Sequence, residues 1–192
     1  MLCSAPPAAA RRAPALAAVA IAATLLTALA VAPPPAAAAV CQGATAHPTE
    51  TSTETIRRAT LCLLNEERRG EGLDALRHNA QLAVAARRHA RDMVERTYFS
   101  HDSPSGMSFV RRIERTGYTR NASWTVGENL AWGSGRLATP VEVVKAWMAS
   151  PGHRANILGR FSEVGIGTAS GAPVRRLDAA ETYATEFGAR RY

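Results

Sequence analysis

Apolar residues recur at helical spacing in several segments of the chain. The best defined of these segments starts after Asn79, an N-cap residue type, and extends to Arg96. Its apolar face is formed by Leu82, Ala86, Ala90, Met93 and Val94. Charged residues occupy the opposite face, so the pattern predicts a helix packed on a core.

Three more helices follow from capping signals. Thr139, Pro140 and Glu142 stand at the N-cap, N1 and N3 positions of one helix, which Pro151 is expected to end. The spacing of Thr51 and Glu54 fits a capping box, which predicts an earlier helix reaching about residue 70. A short helix is predicted over residues 108–116.

Strand patterns are short and lie in the second half of the chain, at residues 124–130, 163–168 and 182–187. Helices come first and strands mostly later, which is not the strict alternation of a doubly wound parallel sheet. The sequence therefore predicts an α+β fold in which a small antiparallel sheet is covered by helices.

The first 39 residues are typical of an export signal. Two arginines, Arg11 and Arg12, precede an apolar stretch over residues 15–32, and prolines and small residues follow it. A retained signal anchor and lipid attachment at Cys41 are the alternatives, since the apolar stretch is close to the length of a membrane span. We expect cleavage, a polar arm over residues 40–53, one domain over residues 54–190, and no membrane span after signal removal.

Charge excludes little beyond nucleic-acid binding. Without the two signal arginines, 21 basic residues stand against 16 acidic ones, a net charge of +5. The arginines are spread over helix faces, and no aromatic residues alternate with them to form a base-stacking platform. An anionic cell wall or membrane surface is the better candidate for a partner of the basic surface.

Cys41 and Cys62 are the only cysteines after the predicted signal. Two cysteines in an exported chain usually pair, which predicts a disulfide that ties the N-terminal arm to the first helix. Such a loop stabilises a fold by about 3 kcal/mol in the chain-entropy model. The alternative is two unpaired thiols, with Cys62 buried as a small apolar residue.

Six motifs stand in one order along about 135 residues: LLNEERRGEGLDAL, YFSHDSP, GENLAWG, AWMASPGHRANIL, FSEVGIG and YATEFG. In this order they resemble the CAP superfamily of cysteine-rich secretory proteins, antigen 5 and pathogenesis-related 1 proteins, in its bacterial SCP-like branch. The resemblance implies an α-β-α sandwich with a three-stranded antiparallel sheet between helical layers. It also implies a cleft lined by two histidines and two glutamates, which in some members binds a divalent metal such as zinc.

The resemblance carries three cleft residues onto this chain: His101 in FSHDSP, Glu128 in GENLA and His153 in PGHR. The second family glutamate is replaced by Ser150, and we take Glu163 as a hypothetical substitute. The expected metal ligands are His101 and His153. For each cleft residue a structural role is the alternative, such as a loop hydrogen bond, a helix stop or an anchored carboxylate.

The other histidines, His47, His78 and His89, are assigned structural roles only.

These residues favour a non-enzymatic extracellular or cell-envelope module, whose cleft binds a divalent cation such as zinc, a lipid or an envelope component. The alternative is a metal-assisted hydrolase of peptide or cell-wall substrates, with Glu128 as general base beside His101 and His153. A nucleophilic mechanism is not indicated, because the sequence has no G-x-S-x-G elbow and no unpaired cysteine beside a histidine.

Overall fold

A mixed sheet of four strands forms the centre of the described domain. A computed structural model describes residues 41–174 and 177–192, so the predicted export signal lies outside the described residues. The strands are β1 (Arg77–His78), β2 (Ser123–Ser134), β3 (Glu163–Ser170) and β4 (Ala180–Arg191). Their order is β1-β3-β4-β2. The three long strands pair antiparallel, as predicted, and the two-residue β1 adds a short parallel edge beside β3.

In the described ranges, the sheet is accompanied by five helices and by a turn of 3-10 helix over Gly135–Ala138. They are α1 (Thr53–Gly70), α2 (Ala80–Glu95), α3 (Phe109–Glu114), α4 (Pro140–Ala149) and α5 (Pro151–Ile157). No helix of the described ranges has the length and hydropathy needed to cross a membrane.

Alternation along the strands divides the core between the two faces of the sheet. Tyr183 and Phe187 on β4 face α1, α4 and α5, where Trp147 and Leu64 are buried against them. Ala184, between them in sequence, faces α2 and packs with Ala90. The predicted α-β-α sandwich is therefore confirmed, with helices on both faces of the sheet.

Two glycines let α2 lie directly on the sheet. A Cβ atom added to Gly165 would collide with the backbone at Leu82 and Ala83, and one added to Gly167 would collide with the backbone at Ala86 and Arg87. The FSEVGIG motif thus provides the close approach of one helix to one strand, for which glycine is required. This contact fixes the position of α2 and of the loop that follows it.

Some helix boundaries differ from the predicted ones. Asn79 caps α2 by accepting hydrogen bonds from the backbone of Gln81 and Leu82, as expected. The cap of α1 is Ser52, one residue after the predicted Thr51, and its side chain accepts from the backbone of Thr55. Pro151 does end α4, but it also occupies the first turn of α5, a helix that was not predicted. A proline fits that position because N–H groups in the first turn of a helix have no intrahelical acceptor, so the missing N–H of proline costs no hydrogen bond.

Two links secure α1 to the rest of the domain. The predicted disulfide is present between Cys41 and Cys62, with 5.7 Å between the Cα atoms. Arg68, buried at 3% exposure, donates hydrogen bonds to the backbone oxygens of Asp74, Ile157, Gly159 and Phe161, at 2.7 to 3.1 Å. This guanidinium fixes the end of α5 against α1.

Replacing Arg68 by methionine should strongly destabilise the domain. The substitution removes four hydrogen bonds from a charged donor and leaves buried carbonyls without partners, so we expect the free energy of unfolding to fall by about 3 kcal/mol or more. Urea denaturation measures the change. Arg69→Met is the matched control, because Arg69 is exposed and pairs only with Glu66. The control should lose about 0.5 kcal/mol or less, and equal losses in both variants would contradict the role given to Arg68.

Candidate functional site

The three predicted cleft residues come from three elements that meet at β2. His101 lies in the loop after α2, Glu128 lies in β2, and His153 lies in the first turn of α5. β2 is an edge strand, so residues from both helical layers can reach it. The Asn129 amide donates to the backbone oxygen of His153 at 3.0 Å, and the Asn156 amide donates to that of Glu128 at 3.1 Å. These bonds hold α5 against β2.

His101 and Glu128 form a direct pair. The Nδ1 atom of His101 lies 2.7 Å from Oε1 of Glu128. Because the carboxylate can only accept, Nδ1 carries the proton in this pair. The Glu128 side chain is 1% exposed, whereas that of His101 is 54% exposed. The carboxylate is therefore buried and holds a half-exposed imidazole at the surface.

Arg112 on α3 neutralises the buried carboxylate from the other side. Its Nη2 atom donates to Oε2 of Glu128 at 2.5 Å. Its Nη1 atom donates to the backbone oxygens of His101, at 2.8 Å, and Met107, at 3.2 Å. A buried carboxylate needs such pairing, since an isolated buried charge is very costly. Arg112 thus links the charge of Glu128 to the backbone that positions His101.

These contacts shift the pKa values in opposite directions. Burial acts to raise the pKa of Glu128, but hydrogen bonding to His101 and the charge of Arg112 outweigh it, so that pKa is lowered. The hydrogen bond to Glu128 raises the pKa of His101 above its ordinary value. Burial, and then the positive charge of His101, lower the pKa of His153. At neutral pH His153 is therefore a neutral imidazole near a more basic one.

A second carboxyl, Glu186, lies directly across the ladder from Glu128. It is fully buried, and neither of its oxygens has a hydrogen-bond partner among the described residues. Burial, and then the charge of Glu128, raise its pKa well above the ordinary glutamate value. Two adjacent buried carboxyls cannot both ionise at low cost, so Glu128 holds the charge and Glu186 the proton.

His89 on α2 completes the polar cluster. It is 1% exposed, and its Nε2 atom lies 2.9 Å from the backbone oxygen of Ser100 and 4.0 Å from Oε2 of Glu128. Burial lowers the pKa of His89, so the ring is neutral at neutral pH. Its hydrogen bond to Ser100 fits the structural role expected from the sequence.

Glu163 does not join the histidines. Its carboxylate accepts hydrogen bonds from Tyr118 at 2.8 Å and Asn79 at 2.9 Å, and Arg190 pairs with both oxygens at 3.1 and 3.2 Å. It faces the same layer as Glu128. It lies at the start of β3, two residues before Gly165, the residue that pairs with Glu186. The hypothesis that Glu163 replaces the family glutamate at Ser150 therefore finds no contact to support it, because its hydrogen bonds anchor α2 and the strand end instead.

The donor set for a metal is narrower than the sequence indicated. Both oxygens of Glu128 are engaged, which leaves Nε2 of His101 and the ring of His153 as the available ligand atoms. A histidine ligand that donates its other N–H to a carboxylate is a common arrangement around zinc. His101 and His153 are therefore the candidate ligands, and Glu128 is the carboxylate that orients His101.

Within the described residues, no third ligand-type side chain joins His101 and His153 in a close group. Within the described ranges, three ligand-type atoms approach one another within 4.8 Å only at Cys41, Cys62 and Glu66. The two sulfurs there are joined in the disulfide, so they are not thiolate ligands. Any metal in the cleft would take its remaining ligands from solvent or from a bound molecule.

Sequence reasoning did not identify Arg112 and Glu186 as parts of the site. Arg112 resembles the other arginines spread over the helices, and only its position in the fold shows that it is buried. Glu186 could have been found, because it alternates with Tyr183 and Phe187 in a strand covered on both faces. A polar residue on the second face of such a strand is necessarily buried.

Comparison with known proteins identifies the fold and the motifs. Residues 61–185 match the model of the cysteine-rich secretory protein family, CAP. The uncharacterized protein YkwD of Bacillus subtilis is 38% identical over 131 residues, which make up 65% of this chain and 49% of that protein. The chain thus spans about half the length of this curated relative.

Two solved structures are similar to the domain. An extracellular protein containing a SCP domain from Bacillus anthracis shares 26% identity and a TM-score of 0.55, over 71% of this chain and 43% of that chain. An outer surface protein of Borrelia burgdorferi shares 21% identity and a TM-score of 0.60, over 73% of this chain and 97% of that chain. At this low identity the second likeness concerns the fold alone.

Replacing Glu186 by glutamine should make the domain less sensitive to alkaline pH. The folded state keeps Glu186 protonated where the unfolded chain has ionised it, so wild-type stability falls as pH rises above about 4.3 toward the raised pKa. The variant lacks this loss. We expect equal stability at pH 4 and a variant more stable than wild type at pH 8.

Urea denaturation at both pH values measures this difference. His101 adds a separate decline above about 6.5, which both proteins retain, because its pKa is also raised by folding. Glu95→Gln, an exposed change on α2, is the control and should follow wild type. A Glu186→Gln variant with unchanged pH dependence would show that Glu186 is ionised in the fold.

Proposed function

The chain belongs to the cysteine-rich secretory protein family, and from this premise we propose that it is an extracellular binding module whose cleft holds a divalent metal, such as zinc, or a small ligand through His101 and His153. The observation that carries the proposal is the pairing of His101 with the buried carboxylate of Glu128. This pairing fixes the ring and leaves its Nε2 atom available. His153 is close enough for the charge of His101 to affect its pKa.

The protein residues prepare the site in distinct ways. Glu128 orients His101, and Arg112 keeps Glu128 ionised. Burial keeps His153 neutral, which is the form that binds metals. Two imidazoles suit a borderline cation such as zinc, which would supply a Lewis-acid centre for an oxygen or nitrogen of a ligand.

Binding without catalysis is supported by the state of Glu128. A general base must reach a proton on water or substrate, whereas both oxygens of this carboxylate already accept from His101 and Arg112. Its lowered pKa also makes it a weak base. The metal-assisted hydrolase considered from the sequence therefore receives less support from the site than the binding module does.

An extracellular location is supported by two observations. The domain contains a disulfide between Cys41 and Cys62, a bond that persists in oxidising compartments. The similar protein from Bacillus anthracis is described as extracellular. We propose an envelope component as the partner of the cleft, which suits a protein that acts at the cell surface.

Calorimetric titration of the chelator-stripped protein with zinc tests the proposal. We expect one binding event that is lost in the His101→Gln/His153→Gln double variant. Glu128→Gln should weaken affinity by about 10- to 100-fold, because it removes the carboxylate that orients His101. Circular dichroism of each variant checks that the fold is retained.

His47→Gln/His78→Gln is the matched control, since it removes two histidines away from the cleft and should bind zinc as wild type does. Equal zinc binding by wild type and the cleft double variant would overturn the proposal. Incubation with casein and with peptidoglycan gives the second arm. Turnover that disappears in a folded Glu128→Gln variant would establish the hydrolase instead.

A further inference from the structure

A cavity lies on the α2 side of the sheet, next to the proposed cleft. Its volume is about 300 Å³, and it is bounded by α2, by the loop over residues 103–107 and by α3. We call it the arginine cavity, because four arginines line it: Arg88, Arg96, Arg112 and Arg115. Cavities of this size hold small ligands or one chemical group of a larger one.

The positive charge of this cavity is only partly neutralised. Arg112 pairs with Glu128, and Arg96 lies 3.6 Å from Asp92. Arg88 and Arg115 have no carboxylate within 4.0 Å among the described residues. The carboxylate nearest to Arg115 in sequence, Glu114, pairs with Arg111. Two guanidinium groups thus remain available for an anion.

Uncharged donors complete the lining. Ser103 and Ser105 border the cavity, with their hydroxyl oxygens 3.0 Å apart. Because Ser103 Oγ is also bonded to the backbone of Met107, one hydroxyl of the pair is left to donate to a ligand. Arg112 forms a buried part of the wall at 8% exposure, and its Nε–H has no hydrogen-bond partner in the described part of the chain. His89, also in the wall, is neutral because burial lowers its pKa. The carboxylate of Asp92 lines the cavity as well, but it lies 3.6 Å from Arg96, so the wall carries an excess of positive charge.

We propose that this cavity is a binding site for a phosphate group. Phosphate offers several acceptor oxygens and as many as two negative charges, which match two available guanidinium groups, one hydroxyl and the Nε–H of Arg112. The planar fork of arginine binds phosphate through paired hydrogen bonds. A carboxylate has only two oxygens and one charge, so it would leave part of this donor set unused.

The proposed phosphate site is independent of the metal cleft but shares a wall with it. Arg112 contacts Glu128 through Nη2 and the His101 backbone through Nη1, while another part of the same side chain lines the arginine cavity. Arg88 and Arg115 make no contact with the residues of the metal cleft among the hydrogen bonds and ion pairs of the described residues. Phosphate binding can therefore be tested with the metal removed.

The test is titration of the full folded protein with inorganic phosphate and with glycerol 3-phosphate, in the presence of EDTA at low salt. We expect saturable binding to one site, and the probe that binds more tightly identifies free phosphate or a phosphoglycerol group as the better match. Arg88→Gln/Arg115→Gln should raise the dissociation constant by about tenfold or more. Both arginines are exposed, so this variant should fold.

Arg91→Gln/Arg111→Gln is the matched control, since it removes the same charge from α2 and α3 outside the cavity. It should bind phosphate nearly as wild type does. Equal weakening in both double variants would indicate diffuse surface attraction and overturn the site. The proposal would also be overturned if wild type bound neither probe at a probe concentration of about 10 millimolar, which exceeds the dissociation constants of weak but specific sites. The His101→Gln/His153→Gln variant should keep its phosphate affinity, which separates this test from that of the metal cleft.

Discussion

The charge on Glu128 is the constraint on which the candidate site depends. A carboxylate at 1% exposure is stable only when opposite charge and hydrogen-bond donors reach it. Here α3 supplies Arg112 and the loop after α2 supplies His101, so three elements are held at fixed distances around one ion. Loss of either partner would leave buried charge without compensation. The same contacts thus fix both the geometry of the candidate site and the packing of the α2 layer.

Glu186 follows from the same constraint. Once Glu128 is ionised, its cross-strand neighbour must be neutral, because the low-dielectric interior does not accept two adjacent negative charges. The two carboxyls therefore share one negative charge and one proton in the interior of the sandwich, with the proton on Glu186. Arg112 extends this electrostatic unit to the arginine cavity, so that one side chain borders two chemically different sites.

Local sequence signals predicted the layers well and the site only in part. Helical periodicity identified α2 with its Asn79 cap, and alternation identified β4, because both depend on residues that are neighbours in the chain. The helix α5 was missed because Pro151 was interpreted only as a stop. His101, Glu128 and His153 were found through the family motifs. Arg112 was not, since nothing local distinguishes an arginine that will be buried from one that will be solvated.

The glycines of β3 have a consequence for how this domain can evolve. In the layer of Trp147 and Phe187, spacing is set by side-chain volume, so one change can be offset by a second change nearby. At Gly165 and Gly167 the helix backbone itself is the neighbour, and a backbone cannot be made smaller. Second-site suppressors should therefore be accessible for changes in the first layer and absent for changes at Gly165 and Gly167. These two positions, which have no side chain at all, are accordingly among the least able to change during evolution.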